Sequence, residues 1–453
     1  MSERLLFGTD GVRGLANRHP MTPELTLRLG RAVGYQLRNH VHGRRPRVLV
    51  GKDTRLSCYM LEMALSAGLT SAGADVHLVG PLPTPGVAFL TEGMRADAGV
   101  MLSASHNPFE DNGIKLFARD GYKLPDADEL ALEALMADDG LDAFRPTGTT
   151  IGRAFRIHDA AGRYAVFAKS AFPRALTLEG VKVVVDCGHG AAYKVAPEVL
   201  RELGAEVVAL GVAPDGTNIN AGCGALHPEH MAAAVRATGA QVGVALDGDA
   251  DRCILADEHG TVVDGDQVLA LLARHLLAKG RLARNTLVAT VMSNLGLERS
   301  LREVGGHVVR VGVGDRYVVE RMRADGLTLG GEQSGHVILL DHGTTGDGLV
   351  TALVVLGLLV ESGQTLSSLA ACMPRFPQVL ENVTVQRRLP LDDLPEVQAA
   401  IARAEARLAG EGRVLVRYSG TQLLARVMVE GPEQGLIAEL AGTIATALRA
   451  ALG

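Results

Sequence analysis

Tryptophan is absent from the 453 residues, and Phe and Tyr bring the aromatic share to only 4%. The interior must therefore be aliphatic, which a hydrophobic content of 47% allows. Cysteine is sparse: Cys58, Cys187, Cys223, Cys253 and Cys372 lie far apart with no CxxC pair. An odd, scattered set suits free thiols in a reducing cytoplasm and excludes a disulfide framework. A positive excess is also missing. Lys and Arg number 45 against 51 Asp and Glu, a net −6, which argues against nucleic acid as a partner. The start, MSERLLFGTDG, lacks the apolar stretch of a secretion signal. The longest apolar run lies between Asp347 and Glu361, too short for a bilayer, and reads as a buried helix. The expectation is a soluble cytoplasmic protein with no membrane partner.

What is abundant is glycine, 54 of 453 residues, ~12% against roughly 7% on average. No three-residue period is present, which excludes collagen, and abundant Val, Leu and Ala exclude disorder. One pattern recurs three times: aliphatic strand, polar Gly-containing loop, amphipathic helix, Gly turn, strand. The copies begin at RVLVGKDTR (Arg47), VKVVVDCGHG (Val181) and TLVATVMSNLG (Thr286), with Gly73, Gly204 and Gly305 after the helices. Continuous Val/Leu strands alternating with helices predict mainly parallel sheets, and each Gly suits a left-handed helix end. The tail differs, reading strand, helix, strand, strand, helix from Arg375 onward. The fold class is therefore α/β: three topologically related mixed α/β domains, 1–150, 151–255 and 256–372, plus a small C-terminal α+β domain, 373–453.

Four polar loops, one per domain, sit at strand ends, where open α/β sheets place ligands. In VMLSASHNPFEDNGIKLF, Ser103, Ser105 and His106 fall in a turn closed by Asn107-Pro108, with Lys115 after it. A hydroxyl between His and Lys suits a nucleophile or phosphoryl carrier, and a self-satisfied ST or Asx turn is the competing reading. In VGVALDGDADRCI, Asp247, Asp249 and Asp251 alternate, and three carboxylates this close demand a cation. An EF-hand is disfavoured because Arg252 takes the position that needs Gly and a strand precedes the loop. In TLGGEQSGHVIL, Glu332, Ser334 and His336 suit a polyol and acid–base work, against a plain hairpin turn. In VLVRYSGTQLLARVMV, Arg417, Ser419, Gly420, Thr421 and Arg426 make a phosphate cradle, against a hairpin with surface arginines. FGTDGVRG offers Arg13 for an anion, while CGHGAA has Tyr193 where a dinucleotide fingerprint needs its third Gly.

Together these loops imply phosphoryl transfer on a sugar phosphate. No Walker A sequence is present, which argues against a nucleoside triphosphate donor and leaves a phosphorylated residue of the chain as the donor.

SASHNP, DGDADR, GEQSGH and RYSGT, in this order and over essentially the whole chain, resemble the α-D-phosphohexomutases. GGEQSGH, VGDRYV (313–318) and PDGTNINAGCGALHPE (214–229) resemble the bacterial glucosamine-phosphate branch of that family. The resemblance implies four domains around a central cleft, with Ser105 as the phosphoserine. It implies one Mg²⁺ per chain, held by Asp247, Asp249, Asp251 and a Ser105 phosphate oxygen. Glu332 and Ser334 would contact sugar hydroxyls, and Arg417, Ser419, Gly420, Thr421 and Arg426 the idle phosphate. His106, Arg252 and Asp315 join the substrate-binding set.

The implied reaction interconverts glucosamine 6-phosphate and glucosamine 1-phosphate through glucosamine 1,6-bisphosphate, with Lys115 offsetting charge and Arg13 orienting Ser105. His336 and Lys115 are both candidates for proton transfer. Further expectations are an external phosphate donor that primes Ser105 and a homodimer. Gln422 and Leu423 depart from the family's Glu-Pro after SGT, and Val311 from a Thr, so sugar preference is where a departure would show. A glucose/mannose phosphomutase and a non-catalytic sugar-phosphate binding protein are the rival readings.

Overall fold

The computed structural model describes residues 5–8, 10–418 and 423–453. The aliphatic runs become central strands with both faces buried: Arg47–Lys52 and Ala98–Leu102, Lys182–Asp186 and Val242–Leu246, Thr286–Thr290 and Leu329–Gly331. Three sheets repeat one plan. In each, a strand, a helix and a second strand form a parallel crossover: Arg47–Lys52 with Asp75–Pro81, Lys182–Asp186 with Glu206–Leu210, Thr286–Thr290 with His307–Val311. Gly73, Gly204 and Gly305 close the crossover helices at φ +87°, +100° and +80°, a region costly for any side chain. A third strand then joins the first in parallel, and the chain returns antiparallel beside it. Those returns are Ala98–Leu102 to Asp111–Ala118, Val242–Leu246 to Cys253–Ala256, and Leu329–Gly331 to Val337–Leu339. The serine, carboxylate and Glu-Ser-His loops occupy this same return turn in the three units.

The fourth sheet is antiparallel, ordered Gln378–Thr384, Leu424–Glu430, Arg413–Tyr418, and carries helices Pro395–Leu408 and Gln434–Leu452. The second of these is, among the described residues, the one helix long and apolar enough to cross a membrane. Its buried residues, Ile437, Leu440, Ile444 and Leu448, recur at helical spacing and seat it on the sheet.

Hydrogen bonding carries two sheets past the expected domain edges. Ala154–Arg156, beyond residue 150, pairs with Asp75–Pro81, and Val262–Val263, beyond 255, pairs with Cys253–Ala256. The first three units also share one continuous core, running from Leu90 and Phe117 through Tyr164 and Leu246 to Leu287 and Leu353. The apolar run after Asp347 is the helix Gly348–Ser362, buried along most of its length in that core. The fourth unit keeps a core of its own.

Polar contacts join it to the third unit. Arg413 donates to the carbonyls of Val291 and Ser293 (both 2.9 Å) and to Glu430 (2.8 Å), whose other oxygen accepts the Leu295 amide at 3.3 Å. Beneath them Asp266 accepts the Asn294 amide at 2.7 Å, while its second oxygen has no partner. Burial lifts the Asp266 carboxyl to about 7. A carboxyl raised in the folded state contributes stability below its free value of roughly 4, lost as pH rises through about 7. The thermal midpoint of Asp266→Asn relative to wild type should therefore rise by ~3 °C or more between pH 5 and pH 8. Thermal scans at both pH values check this, and a flat difference contradicts it.

Candidate active site

The strand Ala98–Leu102 ends in a turn whose Ser105 is buried and held at φ +53°. The Ser105 amide donates to Ser103 Oγ (2.9 Å), which donates to Asp53 (2.6 Å). The Ser105 hydroxyl donates to Asp247 Oδ2 at 2.5 Å, and His106 Nδ1 lies 3.3 Å from it. Burial, with Arg252 and Arg13 nearby, pushes His106 down to about 4, so its ring is neutral at pH 7.

The strand Val242–Leu246 delivers Asp247, Asp249 and Asp251, all buried, with ligand oxygens within 4.8 Å of one another. Among the described residues this is the one cluster able to hold a metal ion. Asp249 accepts from Thr84 Oγ1 (2.5 Å) and Lys115 Nζ (2.7 Å), and Lys115 also reaches Asp251 at 3.3 Å. Burial raises Asp247 well above the carboxylate range, and the charges of Asp251 and Asp249 add to it. Asp251 is buried too, yet Lys115, His336 and Arg252 hold it well below that range. One oxygen each of Asp249 and Asp251 is buried without a hydrogen-bond partner. Orphaned carboxylate oxygens beside a carboxyl driven toward its neutral form are what a hard dication corrects, and the donor set fits one. Glycine is required here: a Cβ on Gly248 would stand 2.6 Å from the Ser105 carbonyl, so the two loops touch backbone to backbone.

The Glu-Ser-His loop joins Leu329–Gly331 to Val337–Leu339. Glu332 accepts the Gly314 amide (3.1 Å), and Ser334 Oγ lies 3.5 Å from Glu332. His336 is buried, with Nδ1 3.6 Å from Asp251 and Nε2 3.5 Å from Asp315. Burial opposes its charge, and the Gly346 amide 3.2 Å from Nε2 favours the neutral ring, yet Asp251, Asp315 and Glu332 prevail and lift it to about 9. Lys115 is likewise held protonated against burial, by Asp10, Asp249 and Asp251. Both predicted proton carriers therefore carry their protons in this state.

Arg13, on the strand Val12–Leu15, pairs with Asp10 and reaches the Ala104 carbonyl at 3.4 Å. A cleft of about 430 Å³ is walled by Asp10, Arg13, His106, Asp251, Arg252, Asp315, Glu332 and His336 among others, and the buried Ser105 and Lys115 reach that wall through His106 and Asp251. Asp10 and Lys123 escaped the sequence reading. Asp10 is shared by Arg13, Lys115 and Lys123, and Lys123 bridges it to Asp315 (2.5 Å), tying the first unit to the third. The TDG segment flagged Asp10 only as part of a turn; nothing local marks Lys123.

Of the fourth loop's described residues, Arg417 and Arg426 are not among the walls of this cleft. Arg417 and Arg426 face each other on paired strands, each with an unpartnered buried Nε, and Arg417 is lowered by burial and by Arg426. Two arginines forced together await an anion. Ser419, Gly420, Thr421 and Gln422 lie outside the described residues. Leu423 is exposed and Val311 half-buried at a strand end.

Four family models match the chain in order. They are the phosphoglucomutase/phosphomannomutase alpha/beta/alpha domains I, II and III, over residues 4–142, 163–260 and 264–376, and the C-terminal domain over 380–447. The chain is 60% identical to the phosphoglucosamine mutase of Anaeromyxobacter dehalogenans, over 99% of its own length and 100% of the relative's. It is 57% identical to that of Myxococcus xanthus, over 99% and 97%. Among solved structures, a phosphoglucomutase/phosphomannomutase family protein from Burkholderia thailandensis superposes with TM-score 0.80 at 27% identity, covering 98% of this chain and 97% of the other. The Aspergillus fumigatus N-acetylphosphoglucosamine mutase, solved with GlcNAc-6P and magnesium, shares the fold at TM-score 0.68 and 18% identity, covering 100% and 96%.

A dication in the carboxylate cluster should stabilise the native state. MgCl₂ added after chelation should raise the thermal midpoint by several degrees, since ligand at a hundred times its Kd is worth ~2.7 kcal/mol. Asp249→Asn should abolish the rise. An unchanged midpoint in the wild type refutes the cation site.

Proposed function

The chain belongs to the phosphoglucomutase/phosphomannomutase family, and from that premise we propose that it interconverts glucosamine 6-phosphate and glucosamine 1-phosphate. It is an intramolecular phosphotransferase, an isomerase by reaction class. The observation that carries the reading is the Ser105 hydroxyl, buried beside the cleft-lining His106 and bonded to a three-carboxylate cluster at 2.5 Å. The amino sugar is supported by whole-length relatives at 60% and 57% identity named for that substrate.

In this reading phosphorylated Ser105 is the donor. The sugar O1 bonds to phosphorus as the bond from phosphorus to Ser105 Oγ breaks, giving the 1,6-bisphosphate. That intermediate turns over in the cleft, and its 6-phosphoryl group returns to Ser105 Oγ. Lys115 or His336, each protonated and buried beside the carboxylates, gives its proton to the departing serine oxygen and takes the proton of the sugar hydroxyl in return. Mg²⁺, held by Asp247, Asp249, Asp251 and a phosphoserine oxygen, would supply charge neutralisation at the transferring group. Arg13, fixed by Asp10, orients Ser105 through the Ala104 carbonyl, and neutral His106 places Nδ1 3.3 Å from the serine oxygen. Arg252 and Asp315 wall the cleft, and Glu332 and Ser334 offer acceptor and donor to the sugar hydroxyls. Arg417 and Arg426, with Ser419, Gly420 and Thr421, hold the phosphate that is not reacting. Ser105 must be primed by a phosphate donor outside the chain, because the cycle regenerates phosphoserine but does not create it.

Purified protein with Mg²⁺ and a trace of sugar bisphosphate should isomerise glucosamine phosphate far faster than glucose phosphate. Ser105→Ala should lose activity by ~10³-fold or more, and peptide mapping should place one phosphate on Ser105. A reversed sugar preference assigns the glucose/mannose activity instead. Full activity in Ser105→Ala overturns the mechanism.

A further inference from the structure

Arg55 heads the large, fully buried side chains of the protein, yet it carries a charge and the reaction described above gives it no part. It lies just after the strand Arg47–Lys52, and its guanidinium is spent almost entirely on one short loop. Nη2 donates to the carbonyls of Ser105 (2.9 Å) and Asn107 (2.8 Å). Nη1 donates to those of Asp111 (3.0 Å) and Pro108, and Nε to Asp53 (2.8 Å). Asp53 in turn accepts the Ser103 hydroxyl that receives the Ser105 amide. Ser105 is thus gripped at both its amide and its carbonyl.

A second donor arrives from the next unit. Asn220, in the DGTNINAGCG segment, is 6% exposed and sits at φ +58°. Its Nδ2 donates to the same two carbonyls, Ser105 (2.9 Å) and Asn107 (3.2 Å). Its own amide is anchored on Gly188 at 2.8 Å, and the Thr54 hydroxyl crosses between the units to the His189 carbonyl (2.6 Å). Asn220 belongs to the same sheet unit as Asp247, the acceptor of the serine hydroxyl. The serine loop is therefore registered on the unit that carries the carboxylates.

This arrangement has a cost that points to a purpose. A non-glycine residue in the left-handed region gives up ~1–2 kcal/mol, and Ser105 is such a residue. Two donors on each of two carbonyls hold it there, and the conformation aims Oγ at Asp247. A planar fork reaching four carbonyls is a shape only arginine supplies.

We propose that Arg55 and Asn220 are positioning residues for phosphoryl transfer, forming a clamp from two units on the Ser105 and Asn107 carbonyls that fixes the serine oxygen against the carboxylate cluster. This rests on Ser105 being the phosphoryl carrier. Misplacing a reacting atom by about 1 Å costs ~10²-fold in rate, so Arg55→Gln should lower kcat by ~10²-fold and Asn220→Gly, which keeps the positive φ, by ~10-fold. KM should stay within about threefold in both, and Arg55→Lys should recover part of the loss because it restores one donor. A purely structural role would lower the thermal midpoint and leave kcat per folded molecule unchanged. Steady-state kinetics, thermal scans and the phosphate content of Ser105 are measured on each full-length variant. Wild-type kcat, within about twofold, in Asn220→Gly and Arg55→Lys overturns the clamp alone, and Asn220→Gly decides if Arg55→Gln does not fold. A wild-type chain with no phosphate on Ser105 and no mutase activity overturns the functional reading, and the clamp with it.

Discussion

Three carboxylates buried within reach of one another are the constraint from which the rest of the molecule follows. Like charges in a low-dielectric interior repel strongly unless opposite charge is brought to them. Here it comes from three directions: Lys115 from the first sheet unit, Arg252 from the cluster's own loop, His336 from the third unit. The imbalance that remains is visible in Asp247, driven upward, beside Asp251, driven downward. A site of this kind cannot belong to one unit. It exists only where three sheets meet, and the continuous aliphatic core that joins them is its structural counterpart.

The fourth unit obeys a different rule. Its core is separate, and its ties to the third are hydrogen bonds and ion pairs centred on Arg413, Glu430 and Asn294. Between the first and third units Arg316 reaches Glu129 in a buried pair, and the part-buried Lys123 joins Asp10 to Asp315. A shared apolar core and ion pairs make the first three units one body, while the fourth, with a core of its own, meets the third through the polar contacts of Arg413, Glu430 and Asn294.

Much of this was legible in the residues, for local reasons. Alternation of Val-rich strands with helices, and glycine at each helix end, announced three related units, and the glycines do take positive φ. The three return turns were visible as polar segments after aliphatic strands. Other features were not legible because their causes are distant in the chain. Lys123 has nothing in its neighbouring residues to mark it until Asp315, 192 residues away, closes on it. Arg55 looks like a helix-start residue until the Ser105 loop, 50 residues on, fills its fork. Sheet edges moved for the same reason. Ala154–Arg156 is too short and too exposed to read as a strand, and pairing alone makes it one.

Chemistry and topology were thus determined by the sequence itself. A hydroxyl loop, a carboxylate loop, a polyol loop and an arginine loop each follow from side chains within a few residues of one another. Only the tertiary structure decided which of those groups hold protons, and which of them share a cleft. His336 is lifted toward its charged form by the carboxylates it faces despite burial, and His106 is pushed toward its neutral form by burial and by Arg252 and Arg13. Those neighbours come largely from other sheets, and the energy of a buried charge depends on what surrounds it in space rather than on what precedes it in the chain.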